Sequence, residues 1–542
     1  MNFIKKQWYL LTIVLLVIVK NWFLEVIPFV TRSVFIHDDG LFLRQASSIV
    51  AGNWLGDFNQ YNLIKGPLYP IWVAANYYTG ISIIHSQDLL YLTACLVIIR
   101  AIQTDIKNKF ALLAIFSALY LNPVSFDFLS VSHGFRMVIY TSFSLLVFGS
   151  LLGLLLRVWQ SGRRFYYWSL LFGVALSLFW YIREEGVWVL PGIVLITITI
   201  AIISTYTKNW IALKRTLVGF ILIPVLLWGA ATSILSYINW RNYAAPYVVE
   251  VMTPNFTRAY NALLSIESQE FRRYFPVRQE TMERVMALSP KAAELTGFNT
   301  GKEFPAAHFI WSFRHAVSLA GYYDKGAKAV DQYYSDLADE LEELCENGTL
   351  KCLDLFLSDC PPWRPVYSKE FIGVLTKQIK EVVRFKDFSM DQTDHYSQGD
   401  SNFIETIKRL THARIQFQRN EISTGTEVFF YKNDQEKNKF LEKLGNTQLI
   451  VRPFLFYSAF LGMVFLILRN VVSRQYNPYT LFSLCVAGSI FTLCVGLTII
   501  ELTSYDSLFR ARHGMYPLPP LFIISVIIAF VYNREHYGQQ KQ

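Results

Sequence analysis

The chain has 542 residues, of which 53% are apolar, 16% are aromatic and only 17% are charged. A folded soluble protein of this length cannot bury so much apolar surface, which excludes a cytosolic enzyme, a disordered chain and a secreted disulfide scaffold. The net charge of +9 would suit a nucleic-acid partner, but lysine and arginine stand mostly beside apolar runs. That placement follows the positive-inside rule and indicates membrane orientation, not a polyanion site.

The apolar runs predict ten spanning helices, and therefore an all-α polytopic membrane protein. The first run, from about Trp8 to Phe29, follows Lys5 and Lys6. It is too long for a signal-peptide core and lacks a small-residue cleavage site, so we expect an uncleaved helix that starts in the cytoplasm. The other predicted spans are residues 88–104, 109–124, 134–157, 165–182, 186–205, 214–237, 453–469, 478–500 and 516–532.

Basic residues fall in alternate connections, as ten spans with an inner start require. The apolar stretch from Pro67 to Ile84 would break this alternation if it crossed the membrane, so we expect a re-entrant or interfacial helix on the outer side. The basic residues of the inner connections and of the C-terminal end are Lys107, Lys109, Arg163, Arg164, Lys208, Lys214, Arg215, Arg469, Arg474, Arg534 and Lys541.

This topology divides the chain into three regions. They are an N-terminal transmembrane region, 1–237, with its first outer loop at 31–87, an outer insertion at 238–452, and a C-terminal transmembrane region, 453–542. The insertion is long enough to be a domain, and its helical periodicity predicts a mainly helical one. It contains Cys345, Cys352 and Cys360, which allow one disulfide at most, and the sequence does not select the pair.

The first outer loop combines an acidic pair with a basic corner. Asp38 and Asp39 precede an amphipathic pattern that ends at Gly52, which predicts a short helix on the outer membrane surface. One carboxylate is enough to cap that helix, so the second is available to a site. Farther on, Lys65 precedes a Gly-Pro pair, where its ammonium can meet a phosphate at headgroup depth. The alternative is a lysine that only snorkels to the headgroups.

These residues resemble the GT-C superfamily of membrane glycosyltransferases, in the branch of protein O-mannosyltransferases and lipid A aminoarabinose transferases. Those enzymes carry an acidic pair after the first span, a surface helix, a Gly-x-Trp-like turn and a Lys-Pro-Pro or His-Pro-Pro corner. The chain departs from that pattern with an Asp for the usual Glu and with Gly66 for the first Pro. The matching residues are Asp38, Asp39, Gly52 to Trp54, Lys65 and Pro67.

A second match precedes the last span. The stretch LFRARHGMYPLPP resembles the Arg-Tyr-x-x-Pro-x-x-Pro stretch of the same enzymes. The resemblance covers roughly the first 100 residues and the last 40. It implies a GT-C-like fold, a bacterial inner membrane and an active site on the periplasmic or extracellular side.

The implied reaction moves a sugar from a polyprenyl-phosphate donor to a hydroxyl or amine of a glycan, lipid or protein acceptor, by one displacement with inversion. Such transfer needs a base for the acceptor and cations for the departing phosphate. We expect the base to be Asp38, with Asp39 next. The predicted phosphate ligands are Lys65, Arg183, Arg510 and Arg512, and the predicted sugar or metal contacts are Glu184, Glu185 and His513.

Other charged residues carry weaker signals. The turn that holds Arg183 is by default a solvated connection, and Arg136 and His133 stand where a snorkelling arginine or a surface histidine is common. Lys20 and Glu25 lie within the first run but not on one helical face, so we do not expect them to pair. No definite cofactor is predicted, and a divalent metal is left open.

A transporter or flippase of lipid-linked sugars is the alternative. Such proteins usually carry internal repeats and ionisable or helix-breaking residues near the membrane midplane. This sequence has no evident repeat, and its charged clusters lie at the predicted outer rim. A non-enzymatic receptor is a third class, in which the outer insertion would carry the function. The sequence identifies neither the sugar nor the acceptor.

Overall fold

The structure, a computed structural model, describes most of the chain. Only the backbone is described at residues 2–6, 39, 184, 425–433, 509–510 and 535–538. All regular elements of the described residues are helices, which confirms the predicted all-α class. The described ranges are 2–31, 39–160, 162–298, 303–392, 395–416, 425–473, 476–506 and 509–538.

The N-terminal region contains both long apolar helices and short connecting ones. Short polar side chains begin several of them, as at α5, where the Asn108 side chain accepts hydrogen bonds from the amides of Phe110 and Ala111. The helices are α1 (Asn2–Leu24), α2 (Asp39–Val50), α3 (Leu68–Thr79), α4 (Ile83–Ile102), α5 (Lys109–Tyr120), α6 (Phe128–Ser132), α7 (Met137–Leu155), α8 (Arg164–Trp180), α9 (Leu190–Tyr206), α10 (Trp210–Thr216) and α11 (Ile223–Tyr243).

The remaining helices belong to the insertion and to the C-terminal region. In the insertion they are α12 (Pro254–Ser265), α13 (Gln279–Leu288), α14 (Pro290–Ala293), α15 (Ala306–Leu319), α16 (Ala327–Glu346), α17 (Pro365–Arg384) and α18 (Ser401–Thr411). Helix α19 (Gly425–Ser473) runs from the predicted insertion into the C-terminal region, which also contains α20 (Pro478–Thr503), α21 (Phe509–Arg512) and α22 (Leu518–Gly538).

Each of the ten predicted spans contains a helix, although the helix of the first span ends at Leu24, five residues before the predicted end at Phe29. Among the described residues, eight helices are long and apolar enough to cross a membrane, or nine when the pair Lys109–Tyr120 and Pro123–Ser132, bent by 57°, counts as one. The tenth predicted span is α8, with 17 residues. At 1.5 Å per residue α8 is about 26 Å long, slightly shorter than a bilayer core of about 30 Å. The chain is a multi-pass membrane protein.

The connections between the spans gather at two opposite ends of the bundle. At one end Tyr479 donates a hydrogen bond to Asp105 over 2.8 Å, and Arg215 donates to the carbonyl of Gln160 over 2.7 Å. At the other end the Thr141 hydroxyl donates to the carbonyl of His513 over 2.9 Å. This second end holds the predicted outer loops, and we call it the outer end.

The predicted insertion contains two parts that differ in their packing. Helices α12 to α16 surround a hydrophobic core of their own, centred on residues such as Phe256, Phe313 and Tyr334, and we call this part the outer domain. Helices α17 and α18 instead contribute Val382 and Leu410 to the core of the transmembrane bundle. The insertion therefore has no single hydrophobic core.

The structure selects the disulfide that the sequence left open. Cys345, near the end of α16, is bonded to Cys352, and Cys360 is a free, partly buried thiol. The bond ties the end of α16 to the segment that leaves the outer domain, where an isolated bridge pairs Ile266 with Cys352.

A buried ion pair joins the first two spanning helices. Lys20 of α1 lies 2.6 Å from the Asp88 carboxylate of α4, and both side chains are almost completely buried. Asp88 also accepts hydrogen bonds from Tyr120 over 2.5 Å and from Asn21 over 3.0 Å. Glu25 lies instead 3.6 Å from Lys437, so Lys20 and Glu25 do not pair with each other, as expected.

Candidate active site at the outer end

The first turn of α2 lies beside two cationic side chains. Phe42 follows Asp39 by three residues, so the two lie on one face of the helix. The Lys65 ammonium and the Arg136 guanidinium are each 5.3 Å from the centre of the Phe42 ring, which suits cation–π attraction. Asp38 lies outside the described residues, and of Asp39 only the backbone is described. The role of the acidic pair therefore stays a prediction. The structure does describe the two cationic side chains, Lys65 and Arg136, beside the first turn of α2.

Lys65 is held at a close approach of two chain segments. A Cβ atom on Gly66 would lie 2.2 Å from the carbonyl oxygen of Tyr181, in the turn after α8. Glycine is therefore required for this contact, which gives a physical reason for the departure from the Lys-Pro-Pro pattern. The Lys65 side chain is half-buried, and a second ring, Trp311 of the outer domain, lies 5.1 Å from its ammonium.

The turn after α8 brings two arginines to the same place. Arg136, at the start of α7, is 8% exposed and donates a hydrogen bond over 2.6 Å to the carbonyl of Ile182. Arg183 forms a two-point contact with Glu185, at 3.0 and 2.8 Å, and lies 5.5 Å from the ring centre of Tyr140. Glu185 therefore neutralises Arg183 in this structure, and the side chain of Glu184 is not described.

The last outer loop packs against the same tyrosine. A Cβ atom on Gly514 would lie 2.3 Å from a carbon of the Tyr140 ring, so the loop backbone is in direct contact with that ring. His513, beside it, is buried, with Nε2 3.7 Å from the Asp127 carboxylate. The motif before the last span and the turn that carries Arg183 thus meet on Tyr140.

Arg512 contacts α17 and the turn that follows it. Its guanidinium lies 2.5 Å from Glu381 and 3.1 Å from Asp387, and it donates to Gln378 over 3.0 Å. Burial opposes the charge of Arg512, but Tyr516, Asp387 and Glu381 outweigh it and raise the pKa of the guanidinium above its usual value. Two carboxylates thus balance its charge, which leaves it less suited to a phosphate than the sequence suggested. The Arg510 side chain is not described.

Two residues of this region, Arg136 and Trp311, cannot be assigned to the site from the sequence. A snorkelling arginine is common at a helix start, and no local signal distinguishes it from Arg136. Trp311 carried no signal, since its contact with Lys65 joins distant parts of the chain. Among the residues whose side chains are described, no group of three or more His, Cys, Asp or Glu is placed to hold a metal ion.

No protein-family model and no curated protein matches the chain. Two solved structures are similar to it, the crystal structures of ArnT from Cupriavidus metallidurans in the apo state and bound to undecaprenyl phosphate. The first is 11% identical over 91% of this chain and 77% of that chain, with a TM-score of 0.32. The second is 12% identical over 95% and 78%, with a TM-score of 0.34.

Proposed function

We propose that this protein is a membrane glycosyltransferase of the GT-C type, which moves a sugar from a polyprenyl-phosphate donor to a hydroxyl or amine at the outer end of the bundle. The observation that carries the proposal is the convergence of Lys65, Arg136 and Arg183 around the first turn of α2 and the start of α7. Arginine and lysine at headgroup depth are the side chains that bind phosphate. The resemblance of the first and last outer loops to that superfamily agrees with this assignment.

In the proposed reaction the cations act on the leaving group. Phosphate gains charge as the glycosidic bond breaks, and preorganised cations in a partly dehydrated site stabilise that charge. Lys65 and Arg136 supply this stabilisation beside α2, and Arg183 does so once phosphate competes with Glu185 for its guanidinium. Arg512 has a structural role in this proposal, because Glu381 of α17 and Asp387 of the following turn already neutralise it.

The base in this proposal is Asp38, with Asp39 as the second candidate. Its carboxylate takes the proton of the acceptor while the acceptor oxygen or nitrogen attacks the anomeric carbon. Attack from the face opposite the departing phosphate inverts that carbon. Asp39 is the first residue of α2, and Asp38 directly precedes it in the sequence; Lys65 and Arg136 flank the first turn of this helix.

We place the active site on the periplasmic or extracellular side of a bacterial inner membrane. The basic inner connections support this orientation. The Cys345–Cys352 disulfide also supports it, because disulfides persist in oxidising compartments and are rare in the cytosol.

Lys65→Gln and Arg183→Gln are each expected to lower the rate of transfer by about 10- to 100-fold, the usual value of one hydrogen bond to a charged group. Turnover is measured as the release of undecaprenyl phosphate from a panel of undecaprenyl-phosphate sugars, with cell-envelope extract as the acceptor source.

The matched control is Arg215→Gln. Arg215 also lies over an aromatic ring, 5.8 Å from the centre of Phe165, but at the opposite end of the bundle. We expect it to retain the wild-type rate. Equal rates in Arg183→Gln and Arg215→Gln would contradict the assignment. Movement of the lipid-linked sugar between vesicle leaflets without release of undecaprenyl phosphate would indicate the transporter instead.

A further inference from the structure

One helix of the outer domain is attached directly to the loop that carries Lys65. Arg314 of α15 is completely buried, and its guanidinium donates hydrogen bonds to the backbone carbonyls of Gln60 and, over 2.8 Å, of Asn62. Its Nε donates to Glu250 over 2.9 Å. A planar guanidinium with five donors can bind two carbonyls and a carboxylate at once, which an ammonium cannot do in the same geometry.

Further contacts hold the same loop. The amide of Glu250 donates to the carbonyl of Leu63 over 2.6 Å, and Ser318 of α15 donates to the Gln60 side chain over 3.1 Å. Leu63 has a φ of 54°, a left-handed conformation that leucine rarely adopts. Such a conformation persists only where surrounding contacts hold it, and here those contacts come from the outer domain and the segment that leads into it.

The same helix reaches the ammonium itself. Trp311 lies one turn before Arg314 on α15, and its ring centre is 5.1 Å from Lys65 Nζ. The Phe42 ring lies 5.3 Å from the same nitrogen. The Lys65 ammonium is therefore flanked by one ring from α2 and one ring from the outer domain.

We propose that α15 is a wall of the active site, and that Trp311 and Arg314 are positioning residues that set where the Lys65 ammonium meets an anionic group. Arg314 holds the backbone of the loop, and Trp311 holds the end of the side chain. This gives the outer domain a role in binding the donor. The proposal rests on the proposed function only for the identity of the anion, a lipid-linked phosphate.

Two measurements on the full-length protein in detergent micelles test the proposal. The first is the rate at which sulfosuccinimidyl acetate acetylates Lys65, read by mass spectrometry with the 78% exposed Lys351 as internal reference. The second is the affinity for undecaprenyl phosphate relative to undecaprenol. Trp311→Ala is expected to raise the acetylation rate and to weaken undecaprenyl phosphate binding, each by about 2- to 5-fold, the value of one cation–π contact.

Three further variants distinguish a change in the position of the Lys65 ammonium from a general loss of structure. Trp311→Phe keeps an aromatic face and should restore both values to within about twofold of wild type. Trp363→Ala removes a tryptophan that packs against Tyr367 and Phe371 instead, and should change neither value. Arg314→Lys should weaken undecaprenyl phosphate binding more than Trp311→Ala does. The lysine ammonium cannot replace the guanidinium hydrogen bonds to the carbonyls of Gln60 and Asn62. If Arg314→Lys does not fold, Trp311→Ala and Trp311→Phe test the positioning role by themselves.

The outcomes distinguish the two proposals. If Trp311→Ala and Trp363→Ala give the same Lys65 acetylation rate, the positioning role is wrong whatever the ligand is. If acetylation rises as expected but the wild type binds undecaprenyl phosphate no better than undecaprenol, the positioning role stands and the proposed function falls. The two proposals are both supported if Trp311→Ala speeds Lys65 acetylation and weakens undecaprenyl phosphate binding, and if Trp311→Phe restores the two values.

Discussion

Asp38→Asn is expected to lower the rate of sugar transfer by about 100- to 10,000-fold, the usual contribution of a positioned general base. Asparagine caps a helix as well as aspartate does, so α2 should still begin at its present position. The loss should therefore appear in kcat at saturating donor, with the affinity for undecaprenyl phosphate nearly unchanged. Asp39→Asn should give a smaller loss, because Asp39 is the second candidate for the base, and the double variant should be inactive.

Asp57→Asn is the matched control for this prediction. Asp57 is an exposed carboxylate of the same outer loop. We expect Asp57→Asn to retain the wild-type rate. The enzymatic account would be wrong if Asp38→Asn, Asp39→Asn and the double variant all formed product at the wild-type rate.

Lys20→Met is expected to destabilise the protein by about 3 to 5 kcal/mol, because it leaves the buried Asp88 carboxylate without its cation. Asp88 would keep only the hydrogen bonds from Tyr120 and Asn21. The free energy of unfolding is measured by titration with sodium dodecyl sulfate in mixed micelles.

Two further variants test whether the loss of stability comes from the unpaired charge of Asp88. The double variant Lys20→Met with Asp88→Leu removes both charges, so it should recover much of the loss. Lys107→Met removes an exposed lysine of an inner connection and should change stability by less than about 0.5 kcal/mol. A loss below about 1 kcal/mol in Lys20→Met would mean that the pair is better hydrated than its burial indicates.

Patterns among neighbouring residues in the sequence were enough to predict where the helices lie and how inner and outer connections alternate. Each of the ten apolar runs contains a helix, and the short helix predicted after the acidic pair is α2, followed by Gly52 with a φ of 86°. Hydrophobic length and turn chemistry depend on neighbouring residues, so they can be read without knowing what a helix touches. The bend between α5 and α6 and the short α8 are differences in geometry within spans that were correctly located.

Partners of charged side chains could not be predicted in the same way. The acidic residue nearest to Lys20 in the sequence is Glu25, whereas its partner Asp88 belongs to another helix. The motif around Arg512 predicts a phosphate ligand, but its two carboxylate partners come from α17 and the turn that follows it. Arg136 and Trp311 reach the site through contacts between distant segments, for which neither spacing nor composition gives a signal.

The central claim is that the acidic pair lies in one active site at the outer end of the bundle with Lys65, Arg136 and Arg183, which bind the donor phosphate. An undecaprenyl phosphate analogue with a photoreactive diazirine beside its phosphate tests this most directly, with the labelled peptides identified by mass spectrometry. The account predicts labelling within residues 38–69, 133–140 and 181–187, with competition by undecaprenyl phosphate. Labelling confined to the opposite end, at residues 103–108, 157–163 and 207–215, would contradict it.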